Sequence, residues 1–198
     1  MKTVGVIGGS GLYNMEGLTD VESVAVETPW GNPSDELVVG KLGDTRMVFL
    51  PRHGRGHKIM PTEINFRANI HAMKKMGVEW VISVSAVGSM KEHIVPGQVV
   101  IPSQFYDHTK TRASTFFGNG IVAHVSMADP VCNALSDECF IVVGMMKQTL
   151  PPNRRERDCD KQFWIIRQSM TLIGIRPSPI EDKFAVRVCF EVTRCAAD

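Results

Sequence analysis

Long apolar runs are missing from this 198-residue sequence. The opening stretch MKTVGVIGGSG breaks its apolar run at Gly8 and Gly9, well short of a signal h-region. No later stretch approaches the roughly 20 apolar residues of a membrane span, so no membrane partner is expected and the expected compartment is the cytoplasm. An excess of one charge is missing too. Twenty-two Lys and Arg stand against 21 Asp and Glu, for a formal charge of +1, so no basic field favours a nucleic-acid partner and any use of positive charge must be local. The five cysteines, Cys132, Cys139, Cys159, Cys189 and Cys195, are odd in number and lack CxxC spacing, which indicates neither a disulfide framework nor a zinc site. Internal repeats and low-complexity tracts are also absent. With 43% hydrophobic and 22% charged residues, the chain has the profile of an ordinary globular domain with enough length to bury a core.

Up to about residue 136 the pattern is orderly. KTVGVIG reads as a buried strand, ESVAVET as a second, and ELVVGKL with RMVFL as a hairpin across the polar GDT turn. A helix follows: Pro61 and Thr62 sit at its expected start, Phe66, Ile70 and Met73 recur at helical spacing, and Gly77 is placed to cap the end. EWVISVSA and GQVVIP read as further strands, and SQFYDHTKTRASTFFGNG as a long polar loop of the kind that is usually functional. Strands alternating with a helix indicate an α/β layered fold. From Phe140 to Asp198 the character changes. TLPPNRRERDCDK is basic and contains prolines, and the apolar runs after it, such as FWIIRQSMTLIGI and FAVRVCFEV, show neither turn punctuation nor a clear period. The expected organisation is a core over residues 1–136 and a divergent, loosely packed tail over 137–198.

Three strand ends carry equipment for binding an anion. VIGGSG is a strand entering a glycine turn, which can aim backbone N–H groups and the Ser10 hydroxyl at an anion, or can be a tight turn and nothing more. It is not a dinucleotide fingerprint, because the third glycine is lacking and LYNMEGLTD is too short for the crossover helix. LPRHGRGH places two arginines and two histidines among glycines at another strand end. His53 and His57 are four apart, but Gly54 and Gly56 oppose the helix that would make them a metal pair, so no metal is expected. An arginine fork suits phosphate oxygens, a histidine adds a hydrogen bond, and glycine admits close backbone approach. In ISVSAVGS, Ser83 is expected to share a face with Ser85 if the strand continues that far, and Gly88 breaks it, which gathers hydroxyls and amides or simply closes a buried strand of small residues.

Taken in order, VIGGSGLY, TPWGNPSDELVVGKL, FLPRHGRGHKIMPTEINFRANI, VSAVGSMKEHIVPGQVVIPSQFYDHT and AHVSMADPVC resemble the 5'-methylthioadenosine phosphorylase branch of the purine nucleoside phosphorylases. The resemblance covers roughly residues 3–135. It implies an α/β fold with a mixed, twisted central sheet flanked by helices, assembled as a homotrimer, with neither metal nor organic cofactor. It implies phosphate-dependent cleavage of a purine 5'-methylthionucleoside in purine and methionine salvage. Ser10, Arg52, His53 and Ser85 would bind phosphate as the co-substrate, with Ala86 offering its backbone amide. His124 matches the family histidine that reaches a neighbouring subunit's site near the sugar 5' position, and His57 a histidine near the phosphate loop; taken alone, each reads as structural.

Beyond Leu135 the family pattern is not followed. The family's helix, its Met-Glu-Gly-Pro strand and loop that hold the sugar, and its Asp-Tyr-Asp segment that reads the purine are not in place. RDCDKQFW echoes the last through Asp158, Asp160 and Trp164, but lies too early and follows PPNRRER rather than a hydrophobic strand. The second half of the family fold is thus expected to be missing or replaced, and the catalytic residues are unassigned. Four readings follow: an active methylthioadenosine phosphorylase whose tail completes the site; a truncated, inactive relative that keeps the phosphate loops; a phosphorylase of purine nucleosides or methylthioinosine; and another phosphate-ester or nucleotide-binding enzyme using the same loops.

Overall fold

TVGVIG, which has a β-branched residue or a glycine at every position, forms the strand β1 (Thr3–Gly8) at the centre of the sheet. The fold is taken from a computed structural model that describes residues 2–9, 15–85, 87, 99–126, 128, 130–149, 163–166 and 188–191. After β1 come β2 (Thr19–Val24), β3 (Leu37–Leu42), β4 (Thr45–Pro51), α1 (Phe66–Lys75), β5 (Trp80–Val84), β6 (Gln104–Asp107), α2 (Asn133–Thr149), β7 (Phe163–Ile166) and β8 (Val188–Glu191). Six strands form one sheet in the order β2-β3-β4-β1-β5-β8. The β2/β3 and β3/β4 pairs are antiparallel; β1 lies parallel to both β4 and β5, and β8 parallel to β5. The sheet is therefore mixed, as expected for this fold class. A separate parallel pair joins β6 and β7.

Strand alternation divides the core between two faces. Ile7, Val39, Val48, Leu50 and Val81 pack with Ile70, Ala72 and Met73 of α1 on one face, and Val6, Val38, Met47 and Phe49 cluster separately. Gly5 permits the close approach on the helix side, because a Cβ there would lie 2.8 Å from Val78 Cγ1 and 3.0 Å from Met73 Sδ. Asn65 caps α1, its side chain accepting from Ala68 N at 3.2 Å while its amide donates to the Trp30 carbonyl at 2.6 Å. Gly77 ends the helix in the left-handed region at φ 76°, its N–H donating to the Lys74 carbonyl.

Several expected boundaries move. α1 begins at Phe66 rather than at Pro61, because residues 60–63 close a turn in which Glu63 N donates to the Met60 carbonyl and Met60 N to Glu63 Oε2. The second strand is Thr19–Val24, with a register shift between Thr19 and Glu22, so it begins before ESVAVET and shares only Glu22, Ser23 and Val24 with it. Val100 and Ile101 of GQVVIP are buried but join no strand. The strand is instead Gln104–Asp107, within the segment read as loop, and Asp107 Oδ1 ends it by accepting from Thr109 N at 2.9 Å. Position 136 falls in the first turn of α2, so the backbone runs in helix from Asn133 to Thr149 across the compositional change. Beyond it, β7 and β8 are the described pieces of the tail. Ser10, Ala86, Asp158 and Asp160 lie outside the described residues.

Candidate functional site

Parallel pairing brings the C-terminal ends of β4, β1 and β5 to one edge of the sheet, the edge at which α/β sheets place their ligands. Arg52, the first residue after β4, extends the ladder by donating its backbone N–H to the Gly8 carbonyl at 3.0 Å. Its side chain turns across β1 towards β5: Nη1 donates to the Val84 carbonyl at 2.7 Å and Nη2 to Ser85 Oγ at 3.2 Å. Arg52 is 8% exposed and Ser85 6%. Two residues 33 apart in sequence thus meet in the interior, at the ends of strands separated by one neighbour.

Burial lowers the Arg52 guanidinium from its ordinary value, yet a guanidinium keeps its proton in proteins. Its partners are a carbonyl, a hydroxyl and an imidazole, all neutral. Lys41 pairs with Asp20, and Arg55 with Asp35 and Glu36; Arg52 is in none of these pairs. A desolvated cation without a counter-charge is costly, and an anion at this edge offsets the cost. Of the five N–H bonds of a guanidinium, the three contacts to His53, Val84 and Ser85 use three. Among the described residues the other two have no partner.

The glycine loop after Arg52 folds back on His53. Gly54 N donates to the Pro51 carbonyl at 2.9 Å, and Lys58 N and Ile59 N both donate to the His53 carbonyl, at 3.0 and 3.1 Å. Gly54 and Gly56 take φ of 68° and 81°, and His57 takes 52°, in the left-handed region that side chains seldom adopt. His53 Nδ1 donates to the Ile59 carbonyl at 2.9 Å, and its Nε2 faces Arg52 Nε at 3.1 Å. His57 is exposed and stacks on the His53 ring, with centroids 5.3 Å apart and planes inclined by 14°. Burial holds His53 below the usual histidine range; the Ile59 hydrogen bond opposes this, and the charges of Arg52 and His57 add to it.

Of the residues singled out from sequence, Arg52, His53, Ser85 and His57 are therefore brought together. His124 lies in the exposed stretch 121–126, and no hydrogen bond or ring contact ties it to this cluster. The other arginine of the loop points away. Arg55 Nη2 donates to Ser23 Oγ at 2.9 Å, and its backbone N–H to Asp35 Oδ2 at 2.6 Å. Sequence reasoning did not find the carbonyls of Gly8, Val84 and Ile59 that orient Arg52 and His53, since backbone acceptors leave no compositional trace. Among the described residues no group of three His, Cys, Asp or Glu side chains is placed to hold a metal ion.

A family model described as the phosphorylase superfamily matches residues 3–145. The S-methyl-5'-thioadenosine phosphorylase of Geobacter sulfurreducens is 66% identical over 140 residues, which is 70% of this chain and 49% of that protein. That of Koribacter versatilis is 61% identical over 133 residues, 67% of this chain and 46% of its own. A crystal structure of a methylthioadenosine phosphorylase from an antarctic soil metagenomic library superposes with a TM-score of 0.72 at 40% identity, over 99% of this chain and 58% of that one. The methylthioadenosine phosphorylase of Schistosoma mansoni in complex with adenine gives 0.71 at 36% identity, over 82% of this chain and 60% of its own. The chain spans about half the length of the curated relatives it matches. With this match covering well over half its residues, the chain belongs to the phosphorylase superfamily.

Proposed function

We propose that the strand-end edge around Arg52 and Ser85 holds inorganic phosphate for the cleavage of the N-glycosidic bond of 5'-methylthioadenosine, giving adenine and 5-methylthioribose 1-phosphate. The observation that carries this reading is the buried Arg52 guanidinium, which has only neutral partners among the described residues. Phosphate is then the nucleophile and the co-substrate, and the reading invokes neither metal nor organic cofactor. As the bond to the base breaks, positive charge develops on the sugar, and a dianion fixed beside it stabilises that charge without reorganisation. Ser10 and the Ala86 amide complete the anion site in this reading, and His124 serves the sugar 5' end of a neighbouring subunit in a cytoplasmic homotrimer. The names of the relatives supply the methylthioadenosine specificity; purine nucleosides and methylthioinosine are the competing substrates.

A second reading, phosphate binding without turnover, is favoured by a specific feature: the Met-Glu-Gly-Pro and Asp-Tyr-Asp segments expected for sugar and base do not occur in these 198 residues. One assay separates the readings. The full chain is incubated with 5'-methylthioadenosine with and without phosphate, and free adenine is measured alongside phosphate binding. Phosphate-dependent adenine release that is lost in Arg52→Ala supports the first reading, and binding without release the second. Turnover of a phosphate ester in place of the nucleoside overturns both.

A further inference from the structure

The resemblance to nucleoside phosphorylases treats Arg52 and His53 alike, as two donors to one phosphate. The geometry separates them. A carbonyl can only accept, so the 2.9 Å contact with the Ile59 carbonyl places a proton on His53 Nδ1. Arg52 Nε–H can only donate, so the 3.1 Å contact with His53 Nε2 requires a lone pair there. Both ring nitrogens are thereby committed, and the only tautomer that serves both contacts is the neutral one with its proton on Nδ1. The surroundings favour the same form. The ring is half-buried with His57 stacked on one face and Arg52 at its edge, and those are the charged or titratable groups that face it among the described residues. Arg55 is held away by Asp35 and Ser23.

We propose that His53 is a positioning residue that accepts the Arg52 Nε–H bond as the neutral Nδ1-protonated imidazole, so that it aims the guanidinium at the anion and donates no hydrogen bond to the anion itself. This rests on the reading of the strand-end edge as an anion site. The fork is joined to its backbone through four rotatable bonds, and three contacts fix it: His53 at Nε, the Val84 carbonyl at Nη1 and Ser85 Oγ at Nη2. The His53 contact is the one made from the side facing the loop. The loop holds His53 in turn through Ile59, so the fold-back of residues 53–59 sets the direction of Arg52. A fork held in this way loses less freedom when it binds a planar pair of oxygens.

The test uses the full chain, inorganic sulfate as the probe and ¹⁵N long-range spectra of the histidine rings, with His53 assigned by its loss in His53→Gln. At neutral pH the expected pattern is a protonated Nδ1 and an unprotonated Nε2, unchanged when sulfate saturates the protein. A proton on Nε2 in the sulfate complex, on a neutral or a charged ring, would make His53 a direct donor and overturn the proposal. Binding gives a second readout. His53→Gln keeps an acceptor for Arg52 and is expected to hold sulfate within a few-fold of the wild-type affinity, whereas His53→Leu loses roughly tenfold or more. Equal losses in both variants would overturn the positioning role. If sulfate fails to bind the wild-type chain, the anion reading fails, and the spectrum of the sulfate-free chain still decides whether Nε2 accepts from Arg52.

Discussion

Arg52 and Arg55 are three positions apart in one glycine-rich loop, and nothing in their spacing tells which turns inward. The difference comes from the strand. Arg52 still belongs to the ladder through its N–H bond to Gly8, whereas Arg55 sits past the Gly54 turn, where Asp35 and Ser23 capture it. Arg52→Ala is accordingly expected to weaken sulfate or phosphate binding by about 1.5–3 kcal/mol, the range for a hydrogen bond to a charged group, while Arg55→Ala leaves it nearly unchanged. Calorimetric titration of both variants checks this, and equal effects would show that the anion is held by general charge rather than by the buried fork. His53 adds a pH dependence. Its folded value is depressed, first by burial, while an unfolded histidine titrates near about 6.5. The unfolded chain therefore takes up this proton at the higher pH, and stability rises with pH wherever the unfolded state binds more protons. The contribution is fully present above about pH 6.5 and is lost as pH falls through the folded value. Thermal unfolding midpoints should drop on acidification below that point, less steeply in His53→Gln; the same slope in both proteins would assign the effect to another group. The sequence made Arg52, His53 and Ser85 legible as residue types at strand ends, but not the contacts among them, because those depend on which strands become neighbours.

Elements with a strict apolar period were legible, and those that borrow their pattern from a partner were not. The β3/β4 hairpin was readable from VVGKL and RMVFL flanking a polar turn, and it forms with Leu42 opposite Thr45. Helix α1 was readable from Phe66, Ile70 and Met73, but its true start was hidden, because the cap is Asn65 and the preceding proline turn mimics an earlier one. β6 was missed since only Phe105 of its four residues is buried. Two substitutions test what positions these elements. Gly5→Ala puts a methyl group against Val78 and Met73 at 2.8 and 3.0 Å, and overpacking of this kind costs about 1–3 kcal/mol. Asn69, on α1 and 2% exposed, accepts from Ser34 N at 2.8 Å and donates to Ser34 Oγ at 2.9 Å. Asn69→Ala leaves that N–H without its acceptor, a loss of about 1–3 kcal/mol. Urea denaturation measures both. An unchanged midpoint in Gly5→Ala would mean that α1 and the turn to β5 shift freely away from β1, and an unchanged midpoint in Asn69→Ala that the segment around Ser34 gains nothing from the helix.

The proposed anion edge is central in the sheet, and the strands nearest to it are the ones supported on both sides. β1 is paired along its length with β4 and for most of it with β5, and its side chains meet α1 on one face and Met47 and Phe49 on the other. At the far side, β8 contributes four residues that among the described residues pair with β5 alone, and it comes from the part of the chain whose composition announced no period. Stability within a domain is graded, with central strands opening only in global unfolding and short edge strands opening by local steps. The amides of Val4 to Gly8 are therefore expected to be the slowest to exchange with deuterium, and those of Val188 to Glu191 to exchange orders of magnitude faster. β5 lies between them, and the Ser83 register partner of Phe190 shows how closely β8 approaches the strand that leads to Ser85. Equal protection of β1 and β8 would make residues 188–191 part of the same cooperative unit as the anion edge, and the change in composition near residue 136 would then mark no change in folding. If β8 opens first, as its single-sided pairing implies, Arg52 and Ser85 keep their contact through that opening, and sulfate should slow the exchange of β1 amides without slowing those of β8 to the same degree.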